Sequence, residues 1–191
     1  MGTDERTFRW LYGGAEAHGL LFAFMVATTI VGGGWGALAF VPFLWRASTR
    51  RLVSALFITF IVAASIGTCL KVAVGRLRPC FSLQGVSALY GSPAGPSFPS
   101  GHALGSFTFA GFLTATAIEI ARKNPDKRRV AWIASIAAVV FATSVALSRV
   151  YLGAHFPSDV ATGALLGFLI GFGGAKAFQA YERGRAKSAS P

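Results

Sequence analysis

Charge is what this sequence has least of. Only 13% of its 191 residues are Asp, Glu, Lys or Arg, and just 7 are acidic, where a soluble domain carries about 25% charged residues. Set beside 53% apolar residues and a mean hydropathy of +0.56, that scarcity excludes a water-soluble globule, which would expose more apolar surface than water tolerates. Disorder is excluded for the same reason. With 2 cysteines there is no disulfide framework. Cys69 lies inside an apolar run and Cys80 beyond Pro79, so both read as free thiols. Repeats, low-complexity tracts and a secretory h-region with its cleavage site are missing as well. The net charge of +11 would suit a nucleic-acid binder only on a water-facing fold, so no nucleic-acid partner is expected. What remains is an all-α, polytopic integral membrane protein, with residues 1–191 forming a single membrane-embedded domain.

Four apolar stretches are long enough to cross ~30 Å of hydrocarbon, which takes about 20 residues: Leu52–Ala73, Ala103–Ala121, Val130–Ser148 and Val160–Ala175, the last extendable to Tyr181. None alternates as a membrane β-strand does. Towards the N-terminus, Trp10–Val31 and Gly32–Trp45 are also apolar, with Gly32-Gly33-Gly34 as a break between them. Five or six transmembrane helices are therefore expected. Trp10, Trp35 and Trp45 suit anchoring at the membrane interface.

Alternating helices sort the basic residues unequally. Arg46, Arg50, Arg51, Arg122, Lys123, Lys127, Arg128, Arg129, Lys176, Arg183, Arg185 and Lys187 fall on one side; Lys71, Arg76, Arg78 and Arg149 fall on the other. The richer side is expected in the cytoplasm, which turns the second set outward from a cytoplasmic membrane. The twelve need no chemistry, because topology accounts for them.

The outward end carries groups that topology does not explain, and ionisable residues at membrane depth are costly and usually functional. Lys71 and Arg78 are seven residues apart, two turns, so a helix running to Pro79 would hold both on one face. Ser100 is a natural N-cap, and Gly101 lets another group approach the backbone closely. The free N–H groups of that helix start form an anion site. Asp159, four residues after His155, is expected to accept a hydrogen bond from one imidazole nitrogen and make the other a better nucleophile. Arg149 and His102 reach the same boundary. Fixed cations around a helix N-terminus call for an anion with several oxygens, most simply a phosphate. Too few acidic residues are placed here for a catalytic metal cluster, and neither His-Glu-x-x-His, paired Cys-x-x-Cys nor a Walker-type loop occurs. No metal and no cofactor is expected.

Three pieces, Lys71…Arg78-Pro79, Pro99-Ser100-Gly101-His102 and Ser148-Arg149…His155…Asp159, resemble the tripartite signature of the type-2 phosphatidic acid phosphatase superfamily, Lys-x6-Arg-Pro, Pro-Ser-Gly-His and Ser-Arg-x5-His-x3-Asp, with every spacing kept across residues 71–159. The resemblance implies a six-helix membrane lipid phosphatase with an extracytoplasmic site. In it His155 would attack phosphorus to give a phosphohistidine, and Asp159 would orient it. His102 would protonate the leaving oxygen and then activate water. Lys71, Arg78, Ser100, the Gly101 N–H and Arg149 would hold the phosphoryl oxygens, and Arg76, outside the pattern, is carried as an auxiliary. The implied substrates are undecaprenyl diphosphate, phosphatidylglycerol phosphate, phosphatidic acid or a lipid A phosphate. The rival readings are a lipid-to-lipid phosphotransferase and a non-enzymatic transporter or scaffold for anionic lipids. The charge-free link 80–98 is expected to cover the site and admit a headgroup from the side.

Overall fold

A computed structural model describes residues 2–14, 16–91 and 93–188, with the backbone alone at 34–37. Among the described residues seven α-helices follow one another: α1 (Thr3–Leu11), α2 (Gly19–Val31), α3 (Arg50–Val74), α4 (Pro79–Ser82), α5 (Gly101–Lys123), α6 (Arg128–Tyr151) and α7 (Pro157–Ser188). No strand occurs among the described residues. Four of the helices, α3, α5, α6 and α7, are long and apolar enough to cross a membrane. They enclose the four stretches read from the sequence, each lengthened by one to three residues at its ends except α7, which runs well past Ala175. Ile61, Ile133, Val140, Leu165 and Leu169 are more than half exposed on them, as side chains facing hydrocarbon rather than water should be. Both cysteines are free thiols.

The N-terminal part departs from the expected Trp10–Val31 segment. Helix α1 ends at Leu11, and α2 starts only at Gly19. Gly14 at φ 79° and Gly19 at φ 81° turn the chain between them. Helix α2 has 13 residues, ~20 Å of rise, and so falls short of a full crossing. The break at Gly32–Gly33 is where the triple glycine placed it, and a 3-10 helix over Gly34–Leu44 follows. Among the described residues, four helices are long enough to cross and a short apolar pair, α2 and the 3-10 helix, stands where the fifth and sixth spans are expected. Trp10 and Trp45 are 83% and 80% exposed, whereas the Trp35 side chain lies outside the described residues.

Close backbone approach between α5 and α7 sets the bundle. A Cβ added at Gly167 would stand 2.2 Å from the Leu104 carbonyl oxygen, and one at Gly171 would stand 2.0 Å from that of Thr108. On the facing helix, Gly111 meets the Phe168 carbonyl at 2.2 Å in the same way. Glycines four apart on one face let two membrane helices touch backbone to backbone. This stripe carries the start of α7 against the start of α5, where Ser100 N donates to Asp159 O at 3.0 Å. At the far end of the bundle Arg51 pairs with Glu182 at 3.3 Å, and Glu119 with Lys123 at 3.1 Å.

Candidate active site

Three chain segments meet at the end of the bundle formed by the starts of α5 and α7. Ser100 caps α5, its Oγ accepting from Ala103 N at 3.5 Å. Nothing lies within 4 Å of where a Gly101 Cβ would be, so another group can approach the backbone closely there. His155 sits on the tight link between α6 and α7. There the Ala154 and His155 N–H groups both donate to the Arg149 carbonyl, at 3.0 and 3.2 Å. Gly153, at φ 76°, backs onto the Ser87 carbonyl so closely that a Cβ there would stand 2.4 Å from it.

The two nitrogens of His155 face opposite kinds of partner. Arg78 Nη1 stands 3.0 Å from Nε2. A guanidinium can only donate, so Nε2 is the acceptor and the ring proton belongs on Nδ1. That nitrogen lies 3.7 Å from Asp159 Oδ2 and 3.4 Å from Ser97 Oγ. Asp159 has no exposure, and each of its oxygens is partnered. Oδ2 accepts from Ser97 Oγ at 2.5 Å and from Phe156 N at 2.9 Å, and Oδ1 accepts from Arg76 Nη1 at 2.7 Å. Burial of the imidazole, reinforced by the Arg78 and Arg149 cations, pushes the His155 pKa down to about 4 against the opposing pull of Asp159. The ring is therefore neutral at pH 7 and keeps its Nε2 lone pair.

The cations are placed differently from the sequence expectation. Lys71 and Arg78 do not share a helix face, because α3 stops at Val74. Gly75 takes the left-handed cap there, at φ 61°, with its N–H on Lys71 O. Arg78 lies past that turn and precedes α4. Both side chains nonetheless reach the site, since the charge-free link folds back over them. Lys71 Nζ donates to the carbonyls of Pro96 and Pro99, at 3.0 and 2.8 Å. Arg78 donates to Gly95 O, Ala94 O and Ala154 O, each at 3.0 Å. The link is held by its backbone carbonyls as much as by its apolar side chains. Arg149 comes from α6 and donates through Nη1 to Thr29 Oγ1 of α2 at 2.5 Å, while its buried Nε has no partner. Arg76 points away from this cluster, to Asp159, Ser158 and Asp4.

His102 lies one residue into α5, within electrostatic range of Arg149, His155, Arg78 and Lys71. It lines a partly open cavity of about 650 Å³ that begins at Lys71, Gly101 and His102 and runs between the N-terminal segment, α3 and α5 to Phe40, Phe60 and Phe109. From Gly101 to Phe109 is eight helical residues, so the apolar part reaches ~12 Å along α5. Polar groups at one end and aromatic walls at the other describe a space for an amphiphile.

Three residues of this arrangement escaped sequence reasoning. Ser97 carried a weak signal, as a hydroxyl in an apolar link two residues before Pro99. Thr29 is a threonine among apolar neighbours with nothing to mark its partner. Asp4 lies 72 residues from Arg76, and no periodicity connects them.

The fold and the site define an all-helical integral membrane protein with a histidine–carboxylate pair set among buried cations. The chain belongs to the PAP2 superfamily, whose pattern matches residues 50–183. Among curated relatives it is similar to an undecaprenyl-diphosphatase of Sulfolobus acidocaldarius, 34% identical over 124 residues, which are 65% of this chain and 54% of that protein. The chain spans about half the length of the curated relatives it matches. Two crystal structures share the fold. LpxE of Aquifex aeolicus superposes with a TM-score of 0.71 at 25% identity, covering 92% of this chain and 96% of that one. A PAP2-type phosphatidylglycerolphosphate phosphatase of Bacillus subtilis gives 0.73 at 25% identity, covering 93% and 85%.

Proposed function

We propose that this chain, read as one membrane-embedded phosphatase domain, removes the terminal phosphate from a lipid phosphate or diphosphate at the extracytoplasmic face of the cytoplasmic membrane. The observation that carries the reading is the His155 ring itself, neutral and buried, with Nδ1 backed by Asp159 and Nε2 held toward the cations. An incoming phosphoryl group draws Arg78 off Nε2 and onto its own oxygens, which frees the lone pair at the moment the electrophile arrives. Lys71, the unpartnered Arg149 Nε and the open Gly101 N–H bind the remaining oxygens, and Ser100 fixes the helix start that presents them. These donors stabilise the charge spread over the equatorial oxygens in the transition state. Nε2 bonds to phosphorus as the bond to the leaving oxygen breaks, and His102, carrying a proton once the phosphate anion offsets the surrounding cations, gives that proton to the oxygen. In the second half His102 takes a proton from water, whose oxygen attacks phosphorus and releases inorganic phosphate with His155 restored.

The apolar cavity beside Lys71 and His102 supports a lipid rather than a soluble ester, because it offers the hydrocarbon a place within the membrane. The name of the Sulfolobus relative and an outward site favour a polyprenyl diphosphate. Purified protein is supplied in turn with undecaprenyl diphosphate, phosphatidylglycerol phosphate, phosphatidic acid and lipid A, with His155→Ala beside it. Phosphate release from one of them by the wild type alone is the expected result. Equal release by the His155→Ala protein removes the nucleophile from the scheme. Lipid-to-lipid transfer predicts a phosphorylated acceptor lipid in place of free phosphate.

A further inference from the structure

The amphipathic helix α1 lies outside the region matched to the family, 50–183, yet its first turn reaches the carboxylate behind His155. Asp4 Oδ1 accepts from Ser158 N at 3.0 Å, and Oδ2 accepts from Ser158 Oγ and Arg76 Nη2, each at 2.6 Å. The other Arg76 nitrogen donates to Asp159 Oδ1 at 2.7 Å and to Ser158 Oγ at 2.7 Å. Arg76 also stacks over the Phe156 ring at 4.1 Å. The order is carboxylate, guanidinium, carboxylate, imidazole, with α1 supplying the first member. The helix is seated by more than this chain of charges. Phe8 is fully buried and lies 5.6 Å from the Phe156 ring, Tyr12 Oη donates to Ser87 O at 3.0 Å, and Gly13 N donates to Tyr151 O at 3.0 Å.

We propose that Asp4 is a positioning residue for the histidine nucleophile, acting through Arg76 and Ser158 on Asp159, so that the docked α1 helix is a working part of the site. The proposal rests on the reading of His155 as nucleophile. Arg76 is the partner of Asp159 Oδ1, and Arg76 is itself 30% exposed. Asp4 is the group that holds its other nitrogen, beside the Ser158 hydroxyl and the Phe156 ring that also seat it. With Asp4 neutralised, Arg76 is drawn toward the anionic headgroup region and the buried Oδ1 is left without its donor. A buried carboxylate cannot stay unpartnered at low cost, so it turns about its own axis and Oδ2 leaves its place opposite His155 Nδ1. Asp4 also ties Arg76 away from the phosphate space, which excludes it as a phosphate ligand.

The test uses the full chain in detergent micelles with 15N-labelled histidine, where three histidines give three resolvable imidazoles. The charged and titrating groups facing His155 are Asp159 from α7, Arg78 from the link after α3, Arg149 from α6 and His102 from α5, with Lys71 of α3 acting on His102. All of them are unchanged in Asp4→Asn and Asp4→Ser. In the wild type the His155 signals should show one tautomer, protonated on Nδ1. Both Asp4 variants should give a mixture of tautomers, and Asp4→Glu, which keeps the carboxylate, should recover part of the wild-type pattern. In phosphate release, Asp4→Asn should lower kcat roughly tenfold with KM unmoved, the scale of coupling within one hydrogen-bonded network. In an Arg76→Gln background the same substitution should add nothing, because its effect travels through Arg76. His155 signals that are identical in wild type and Asp4→Asn overturn the proposal, and so does a loss that is fully additive with Arg76→Gln. A wild type with the expected tautomer and no phosphate release would instead sink the phosphatase reading and leave the positioning result standing on the spectra.

Discussion

Arg78 Nη1 stands 3.0 Å from His155 Nε2, a donor lying against the lone pair that the proposed reaction needs. The same guanidinium is anchored by three backbone carbonyls, of Ala94, Gly95 and Ala154. It is therefore a well-seated donor on the imidazole, and the Nη1 contact with Nε2 is the one an oxyanion can take over. Replacing it with Lys keeps a charge but loses the fork that holds it in place. Arg78→Lys should lower phosphate release by roughly a hundredfold, as expected of a ligand displaced by about 1 Å from the reacting atoms. Single-turnover kinetics on whichever lipid the wild type accepts checks it.

Ser97 is the hydroxyl between His155 and Asp159. In Ser97→Ala, Asp159 Oδ2 keeps the Phe156 N–H but loses its other donor. A hydrogen bond to a buried charged group is worth about 1.5–3 kcal/mol. Both thermal stability and kcat should fall, with Ser97→Thr restoring most of each. A Ser97→Ala protein with wild-type turnover would remove Ser97 from the site.

The pH dependence has a definite sign. In the folded chain His155 takes a proton only near pH 4, well below the ordinary value of 6.5. The acidic limb of kcat/KM, which reports the free enzyme, should therefore lie near pH 4 rather than between 6 and 7. For stability, the unfolded chain protonates this ring first as pH falls from 6.5. The folded state then loses ground steadily until pH passes about 4. Melting temperature should drop over that window in the wild type and drop less in His155→Gln.

The α5–α7 contact predicts a contrast between neighbouring glycines. Gly171→Ala places a Cβ 2.0 Å from the Thr108 carbonyl oxygen, whereas at Gly173 an added Cβ meets nothing within 4 Å. The first should cost about 1–3 kcal/mol and separate the starts of α5 and α7. Gly173→Ala should behave as the wild type in thermal unfolding and in phosphate release.

Much of this was legible in the sequence because a bilayer imposes simple rules. Length and hydropathy marked α3, α5, α6 and α7, and the Ser100 cap and the His155–Asp159 spacing marked the polar end. The glycines at 163, 167 and 171 carry no reading in the sequence, and their use appears only in the packed bundle. One expectation fails for a local reason: a helix running to Pro79 is expected, but the glycine at 75 ends α3 four residues earlier, so Arg78 reaches the site from a turn. The N-terminal apolar part stays open between one and two crossings in the sequence, because hydropathy does not register the turns at Gly14 and Gly19. The partnerships of Asp4 with Arg76 and of Thr29 with Arg149 could not be read at all. They join residues 72 and 120 positions apart, and only the folded chain fixes such pairs.

On the proposed reading, the aromatic cavity that ends at Lys71 and His102 sets how reactant and catalyst find each other. A lipid entering between α3 and the N-terminal segment never leaves the bilayer, so the encounter is a search in two dimensions. Velocity is then governed by the mole fraction of substrate in the membrane and not by its amount per volume of buffer. Diluting the substrate with inert lipid at constant total substrate should slow the reaction, while diluting the whole vesicle suspension should leave the turnover of each embedded molecule unchanged.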